Sequence, residues 1–318
     1  MVFVVKKTIE LTEYEQGSIL TLFNVIFKKE RTILEFHNQF TNNVFGYSYH
    51  AMILDENRIV GHFAYIPAYY NVNAKRYLSA VSADAMVDEK YRGFINFYSM
   101  IVTLHKYLET EGIVFVHAFP NDNSYPVFIK GKLMGDIGRL TTYCLPYRIG
   151  GIKPGLKALN WLSIIFVRLY VFLVSLIAGK KIYRLPIEKE VETYNATRYK
   201  RLDGNYNMAN FKGSEFVYKI MDYEGIRSAF LIDIFEKSAT NFNKAVQYII
   251  KNHGKEFDIL LYVGYLPFRC HGLIKVPQKL APKNFNFIGE ILKNDEIDKD
   301  LFFNINNWDV NLSNYDLL

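Results

Sequence analysis

Apolar residues recur along the chain with two periods, about 3.6 in some segments and 2 in others, in the order expected of a mixed α/β protein. After a strand-like opening at Phe3–Lys7, Thr12 is followed three residues later by Glu15, the capping-box spacing. Ile19, Leu20, Leu22, Phe23 and Ile26 then fall at helical spacing, so a helix is expected from about Thr12. Glu30–Phe40 reads as a second, short helix. Tyr47–Leu54, the turn residues Asp55-Glu56-Asn57 and Arg58–Tyr70 read as strand, turn, strand, and Arg76–Val87 continues the meander. A short polar stretch, Asp88–Gly93, leads into Phe97, Ile101, Leu104 and Leu108 at helical spacing, ending near Gly112. Ile113–Phe119 is then a continuous apolar strand, closed by Pro120-Asn121.

The middle of the chain departs from this pattern. Trp161–Ala178 is eighteen residues long and carries one charge, Arg168, which is just long enough to raise the question of a membrane. At about 100° per residue, Lys157, Asn160, Arg168 and Ser175 fall within about 80° of one another and leave a wide apolar arc. An arginine at mid-depth costs roughly 2.5–3.5 kcal/mol on insertion. The leading expectation is therefore a helix buried between two lobes, with a membrane-surface helix and a true span as alternatives. Beyond Lys180 strands are expected at Ser228–Glu236, Phe257–Leu266 and near Phe285–Leu292, with a helix over Thr240–His253. Ser79-Ala80 with Asp84 five residues on is matched by Ser228-Ala229 with Asp233 five residues on. Each copy continues through loop, helix, apolar strand and proline, over 36 residues to Pro120 and 34 to Pro267. The match favours a remote internal duplication. It divides the chain into a first lobe at 1–150, an apolar helical connector at 151–181 and a second lobe at 182–318.

Composition narrows the class. Half of the 318 residues are apolar and 22% are charged, which excludes a disordered or fibrous chain. Two distant cysteines, Cys144 and Cys270, provide neither a disulfide scaffold nor a zinc cluster. The excess of 38 Lys+Arg over 32 Asp+Glu is mild and spread along the chain, so no nucleic-acid partner is expected. The opening Met-Val-Phe-Val-Val-Lys-Lys is too short in its apolar run for a signal peptide and puts its basic residues after that run, giving a cytoplasmic expectation. The 16% aromatic content, alongside abundant Asn, Ile and Lys, is attributed to genome bias rather than to a stacking surface.

The chemically informative stretch runs from Ser82 to Phe97, a strand entering a tight glycine-bearing turn and then a helix. Free N–H groups at a first helical turn, together with the helix dipole, suit a pyrophosphate. Gly93 removes a side chain from the approach, and Arg92 can add a charge-assisted contact. Asp84 is the only carboxylate inside the expected strand. It can orient or deprotonate an amine, or serve as a structural hydrogen-bonding group, and strand alternation turns it away from Ala85 and Val87. His117, in the middle of an apolar strand, reads as a core histidine before it reads as a base. No Ser-His-Asp set, paired catalytic carboxylates or metal-ligand cluster stands out, and no metal is expected.

The element order, with Lys90-Tyr91-Arg92-Gly93-Phe94-Ile95 set against the pattern basic-x-x-Gly-x-Gly/Ala, resembles the GNAT superfamily of acyl-CoA-dependent N-acyltransferases. The resemblance implies an α/β (mixed) fold: a central mixed sheet flanked by helices and splayed between its fourth and fifth strands, followed by a second, degenerate GNAT-like lobe. Ile95 stands where the family's second small residue usually lies, so its branched side chain either crowds the phosphates or turns outward. Phe115–Asn121 resembles the fifth strand, Asn121 with Ser124 the start of the next helix, and Lys130–Gly135 that helix's ending. The tyrosine that many members use as general acid falls at Phe128, which has no proton to give. Tyr125, one helical turn earlier, is the substitute candidate. The likeness covers about residues 1–150. Phe119-Pro120-Asn121 with the following Ser124, and the closing Trp308-Asp309-Val310-Asn311-Leu312 with Asp316, are similar to two-lobed members of surface-polysaccharide pathways. The second copy, Ile234–Asn241, has no Arg-Gly turn, so only the first lobe is expected to bind CoA.

The activity so implied is direct transfer of an acetyl or other short acyl group from acetyl-CoA to an amine of a sugar or other small acceptor. Met86 and Val87 would lie along the pantetheine, with an oxyanion-binding N–H at Val87 or a neighbour. Arg92, Gly93, Phe94, Ile95 and Asn96 would hold the pyrophosphate. Asn121 and Ser124 would form the opposite wall, and Asp84 and Tyr125 are the candidate catalytic groups. Two alternatives stay open: a peptide-bond-forming transferase of two-lobed GNAT fold that uses aminoacyl-tRNA, and a catalytically inactive module contacting a membrane surface through 161–178.

Overall fold

The capping box expected at Thr12 forms. Glu15 N–H donates to Thr12 Oγ1 at 3.2 Å and Thr12 N–H donates to the Glu15 carboxylate at 2.9 Å, starting helix α1, Glu13–Phe27. The same device at Thr32 and Glu35 starts α2, Ile33–Thr41. The computed structural model describes residues 1–200, 206–281 and 283–315. Among these, the remaining helices are α3 (Phe94–Thr110), α4 (Tyr125–Lys130), α5 (Ile149–Ile152), α6 (Asn160–Ile177), α7 (Val191–Ala196), α8 (Ala239–His253) and α9 (Lys299–Phe302). The strands are β1 (Val2–Lys7), β2 (Tyr49–Asp55), β3 (Arg58–Val72), β4 (Lys75–Val87), β5 (Phe115–Ala118), β6 (Gly135–Arg139), β7 (Thr141–Pro146) and β8 (Ile187–Lys189), followed by β9 (Asn207–Phe211), β10 (Ser214–Tyr223), β11 (Ile226–Ile234), β12 (Ile259–Gly264), β13 (Ile274–Lys275) and β14 (Asn286–Ile291).

The chain forms two compact units. The first comprises Met1–Arg139, Pro186–Gly204 and Phe285–Asn307. Its sheet runs β1-β2-β3-β4-β5-β14-β6, with β8 paired to the end of β3. One face buries Val60, Phe63 and Tyr65 against Ile101 and Leu104 of α3 and Phe128 of α4. The other buries Met52, Ala64 and Met86 against Ile19 and Phe23 of α1 and Phe36 and Phe40 of α2.

The second unit comprises Leu140–Leu185, Asn205–Asn284 and Trp308–Leu318, with strand order β13-β7-β12-β11-β10-β9. Its core joins Val167 and Val171 of α6 to Phe242, Val246 and Ile249 of α8 and to Leu260 of β12. The closing Trp308–Leu312 run is buried here. Lys237 reaches Asp309 at 2.8 Å and Asp233 at 3.3 Å, and Asn311 Nδ2 donates to Asp233 at 2.7 Å. Asp316 lies outside the described residues.

The duplicated motif is visible as register. β4 pairs in parallel with β5 at Ser79↔Phe115 and Ala80↔Val116, and β11 pairs in parallel with β12 at Ser228↔Ile259 and Ala229↔Leu260. A helix joins each pair, α3 in one and α8 in the other, and an antiparallel strand follows outside it, β14 beside β5 and β7 beside β12. Those outer strands are exchanged along the chain: β7 leaves the first half for the second sheet, and β14 returns from the C-terminal region to the first. The boundaries at 150 and 182 therefore do not coincide with the compact units. Short β5 has a second edge whose N–H and C=O groups need a ladder, and β14 supplies it.

The segment 161–178 is not a buried connector. Val167, Val171 and Val174 of α6 are buried, but the opposite face is exposed, including Trp161 at 63%.

Candidate active site

The first sheet opens where the chemistry was expected. Parallel pairing of β4 with β5 ends at Val81↔His117, while β4 continues to Val87. Among the described residues no strand pairs with Ser82–Val87 on that edge. Asp88 N–H donates to Val60 C=O on β3 at 2.8 Å. Successive amides of a strand point to opposite edges, so Val87 N–H is aimed into the gap. The Met86 side chain is buried toward α1 and α2 and Val87 packs toward α3, leaving their backbone as what they offer a ligand.

At the end of β4 stands the N-terminus of α3. Gly93 is its N-cap, without a side-chain cap, and the first intrahelical bond is Phe97 N–H to Gly93 C=O at 3.3 Å. Among the described residues no acceptor meets the N–H groups of Phe94, Ile95 and Asn96, so three aligned donors face outward. A Cβ on Gly93 would meet open space, so that glycine keeps the approach clear without being required by the fold. Ile95 turns outward, 76% exposed, and does not crowd the turn. Arg92 is exposed, its Nε donating to Val87 C=O at 3.2 Å, and the Asn96 side chain donates to Tyr91 C=O at 2.9 Å. The Phe94 ring lies against Gly131 at the end of α4, where a Cβ would come within 2.9 Å of it. Glycine at 131 thus lets the two helix ends approach, and Lys130 and Lys132 flank that contact.

Asp84 sits on a β-bulge. The β3–β4 register shifts between Ala64↔Ala83 and His62↔Met86, and Asp84 takes up the extra residue at φ +49°. This left-handed conformation is one that Asp tolerates better than most residues. Its carboxylate pairs with the Arg31 guanidinium through both of its oxygens, the Nη2 contact being 3.3 Å. Arg31 lies between α1 and α2 and stacks on Phe23 at 3.4 Å, so the carboxylate belongs to the face opposite Val87, as alternation suggested.

Behind the bulge, His62 Nε2 meets His50 Nδ1 at 2.9 Å and His50 Nε2 meets Thr8 Oγ1 at 2.8 Å. Burial holds His62 down to about 3 and His50 well below its usual value, so both rings are neutral. His117 is likewise pushed down to about 3 by burial, among Tyr70, Phe115 and Phe287. It is a core residue rather than a base. Because folding keeps these rings from taking up protons, the unfolded chain binds more protons between pH 6.5 and about 3. Stability is therefore expected to fall steadily as pH drops through that window, read as a falling urea midpoint; a midpoint unchanged between pH 7 and 4 would contradict it.

The remaining candidates lie beyond the end of β5. Asn121 Oδ1 accepts the N–H groups of Asn123 and Ser124, each at 3.0 Å, and the Ser124 hydroxyl at 3.1 Å. These two residues shape the turn into α4. Phe128 is buried between Phe97 and Phe63, ring centroids 5.3 and 6.2 Å away. Tyr125 is directed toward Asp136 and Arg139 of β6, and burial together with Asp136 raises its phenol. It packs on the α3 face, whereas Asp84 lies on the α1–α2 face.

Sequence reasoning missed Arg31, which only the fold brings to Asp84, and Glu290 on β14, paired with Val116. Burial pushes Glu290 up to about 7, with Lys299 acting against it. Glu290 lines a cavity of about 380 Å³ with Lys132, Asp136 and Lys299, lying beyond β5 from the gap. The sequence signal available was a lone acid inside the apolar strand Phe285–Leu292.

No protein-family model and no curated protein matches the sequence. Solved structures do. A conserved protein of unknown function and probable N-acyltransferase from Enterococcus faecalis V583 superposes with a TM-score of 0.58 at 13% identity, over 92% of this chain and 73% of that one. GCN5-related N-acetyltransferases from Kribbella flavida and Anabaena variabilis each give 0.56, at 10% and 12% identity, over 92% and 91% of this chain and 73% of theirs. At such identity the likeness is one of fold, and with the splayed β4–β5 edge and the bulge in β4 already described, the chain has the fold of the GCN5-related N-acetyltransferases.

Proposed function

We propose that the first unit is an acyl-CoA-dependent N-acyltransferase, moving an acetyl or other short acyl group to the amine of a small acceptor, an amino sugar in the leading case, by direct transfer in the cytoplasm. The observation that carries this reading is the opening of β4 from β5 beyond Val81, directly before the three unmet N–H groups of α3. Acyl-CoA supplies an activated thioester carbonyl. The first turn of α3 binds its pyrophosphate, with Arg92 beside it, and Val87 N–H in the gap donates to the carbonyl oxygen on which negative charge develops. Asp84, fixed by Arg31, orients the incoming amine from the α1–α2 face. The fold shared with N-acetyltransferases supports the reading.

Titration calorimetry with acetyl-CoA, against CoA and an unrelated nucleotide, tests it. Binding in the micromolar range with preference for acetyl-CoA is expected. Arg92→Glu should weaken it about tenfold, the equivalent of one charge-assisted contact. Absence of heat at saturating ligand would remove the donor assignment and bring forward an aminoacyl-tRNA-dependent transferase.

A further inference from the structure

The second unit carries a surface that acyl transfer does not use. On a helical wheel of about 100° per residue, the nine large apolar side chains exposed between Trp161 and Ile177 occupy one continuous arc of about 160° with no polar residue inside it. Trp161, Phe172, Ile165, Leu176 and Leu169 follow one another around half of that arc. The stripe is about 24 Å long at 1.5 Å per residue. So large an exposed apolar face marks an interaction surface.

Charge identifies what covers it. From Leu140 to Leu185 the chain carries seven basic residues and no Asp or Glu, a formal charge larger than the +6 of the whole protein. The rest of the chain is thus close to neutral. Lys153 and Lys157 precede the stripe and Lys180 and Lys181 follow it, all four exposed. An apolar stripe with a tryptophan at one end and lysines at both ends fits an anionic lipid surface.

The opposite face of α6 fixes the mode of contact. Val167, Val171 and Val174 are buried, Arg168 Nε donates to Tyr147 Oη at 3.1 Å, and Tyr170 Oη donates to His271 C=O. A span would strip these contacts from the unit. We infer that α6 lies in the plane of an anionic membrane, its Trp161–Ile177 face sunk into the lipid and the flanking lysines at the headgroups.

The full chain tests this by co-sedimentation with vesicles of phosphatidylcholine containing about one third phosphatidylglycerol, against phosphatidylcholine alone. Partitioning is expected to be roughly tenfold stronger onto the anionic vesicles and to fall with salt. The two tryptophans provide a second readout: Trp308 is fully buried and Trp161 exposed, so a blue shift on adding vesicles reports Trp161. Ile165→Glu with Leu169→Glu should return the protein to the supernatant with unchanged circular dichroism, because neither side chain enters the core. Protein that stays in solution with both vesicle types would overturn the inference. So would a lipid-free dimer in which Trp161 is already shielded, which would make a second copy the occupant, and so would resistance to alkaline carbonate extraction, which would indicate a span.

Discussion

Replacing Lys237 by alanine is expected to lower the free energy of unfolding by about 3–5 kcal/mol, the usual cost of removing one partner from a buried ion pair. The Lys237 side chain is 4% exposed, and Asp233 and Asp309 are closed in with it. Burial works against the ammonium charge, but Asp309 and Asp233 outweigh it and raise its pKa. Without the lysine, Asp233 and Asp309 stay buried and lose the cation that bridges them. Lys237→Met, which restores most of the volume, should recover little, since charge rather than packing is what is lost. A raised folded-state pKa means that the contribution is fully present below the ordinary lysine value of 10.5 and is lost only as pH climbs past it. The deficit should therefore be constant from neutral pH up to that value. Denaturant titration at several pH values reads this directly, and a loss under about 1 kcal/mol would show that the cluster relaxes or admits water.

Arg31→Ala should reduce kcat/KM for the proposed acyl transfer by at least about a hundredfold, close to 2.7 kcal/mol in the barrier, while leaving acetyl-CoA affinity within about threefold, since the first turn of α3 is untouched. Arg31 grips both oxygens of Asp84 while its guanidinium rests on Phe23. Asp84 is itself the left-handed bulge residue, so its backbone fixes where the carboxylate starts from. Once released, the carboxylate no longer presents a fixed edge to an amine, so the loss should fall on kcat and on KM for the acceptor rather than on the donor. Arg31→Lys, which keeps the charge but not the two-pronged geometry, should recover part of the activity. Wild-type turnover in Arg31→Ala, with thermal midpoint and donor affinity preserved, would take Asp84 out of the mechanism.

The first lobe was largely legible because its signals are local. The Thr12–Glu15 box, the turn at Asp55-Glu56-Asn57 and the apolar spacing of α3 each depend on a few neighbouring residues, and all appear as read. What escaped depends on distant partners. β7, with its Thr-Thr-Tyr-Cys alternation and terminal proline, becomes a strand because β12 lies beside it. The bulge at Asp84 breaks the period of 2 without any glycine to announce it, so Ala83 and Met86 share a face three residues apart. At the site, the order of strand, turn and helix was readable, whereas Arg31, 53 residues from Asp84, was not. Asn121 and Ser124 were legible as polar residues after the fifth strand, but their mutual turn was not, because short polar side chains make that choice by local geometry.

The exchange of outer strands also bears on how the chain is made. A ribosome releasing the protein from its N-terminus has produced β1 through β6 long before Asn286–Ile291 emerges, and until then β5 and β6 have no β14 to bridge them. The second sheet, by contrast, has all of its strands once Ile274–Lys275 has emerged, before Asn286–Ile291 is made. The later-encoded unit is thus the first able to complete its sheet, and the earlier-encoded one closes last, through contacts of very large sequence separation that slow folding. A fragment ending near residue 150 would carry the whole β4–α3 turn and yet present an unpaired edge on β5, so the half of the molecule with the proposed donor site is expected to need the C-terminal region to be soluble.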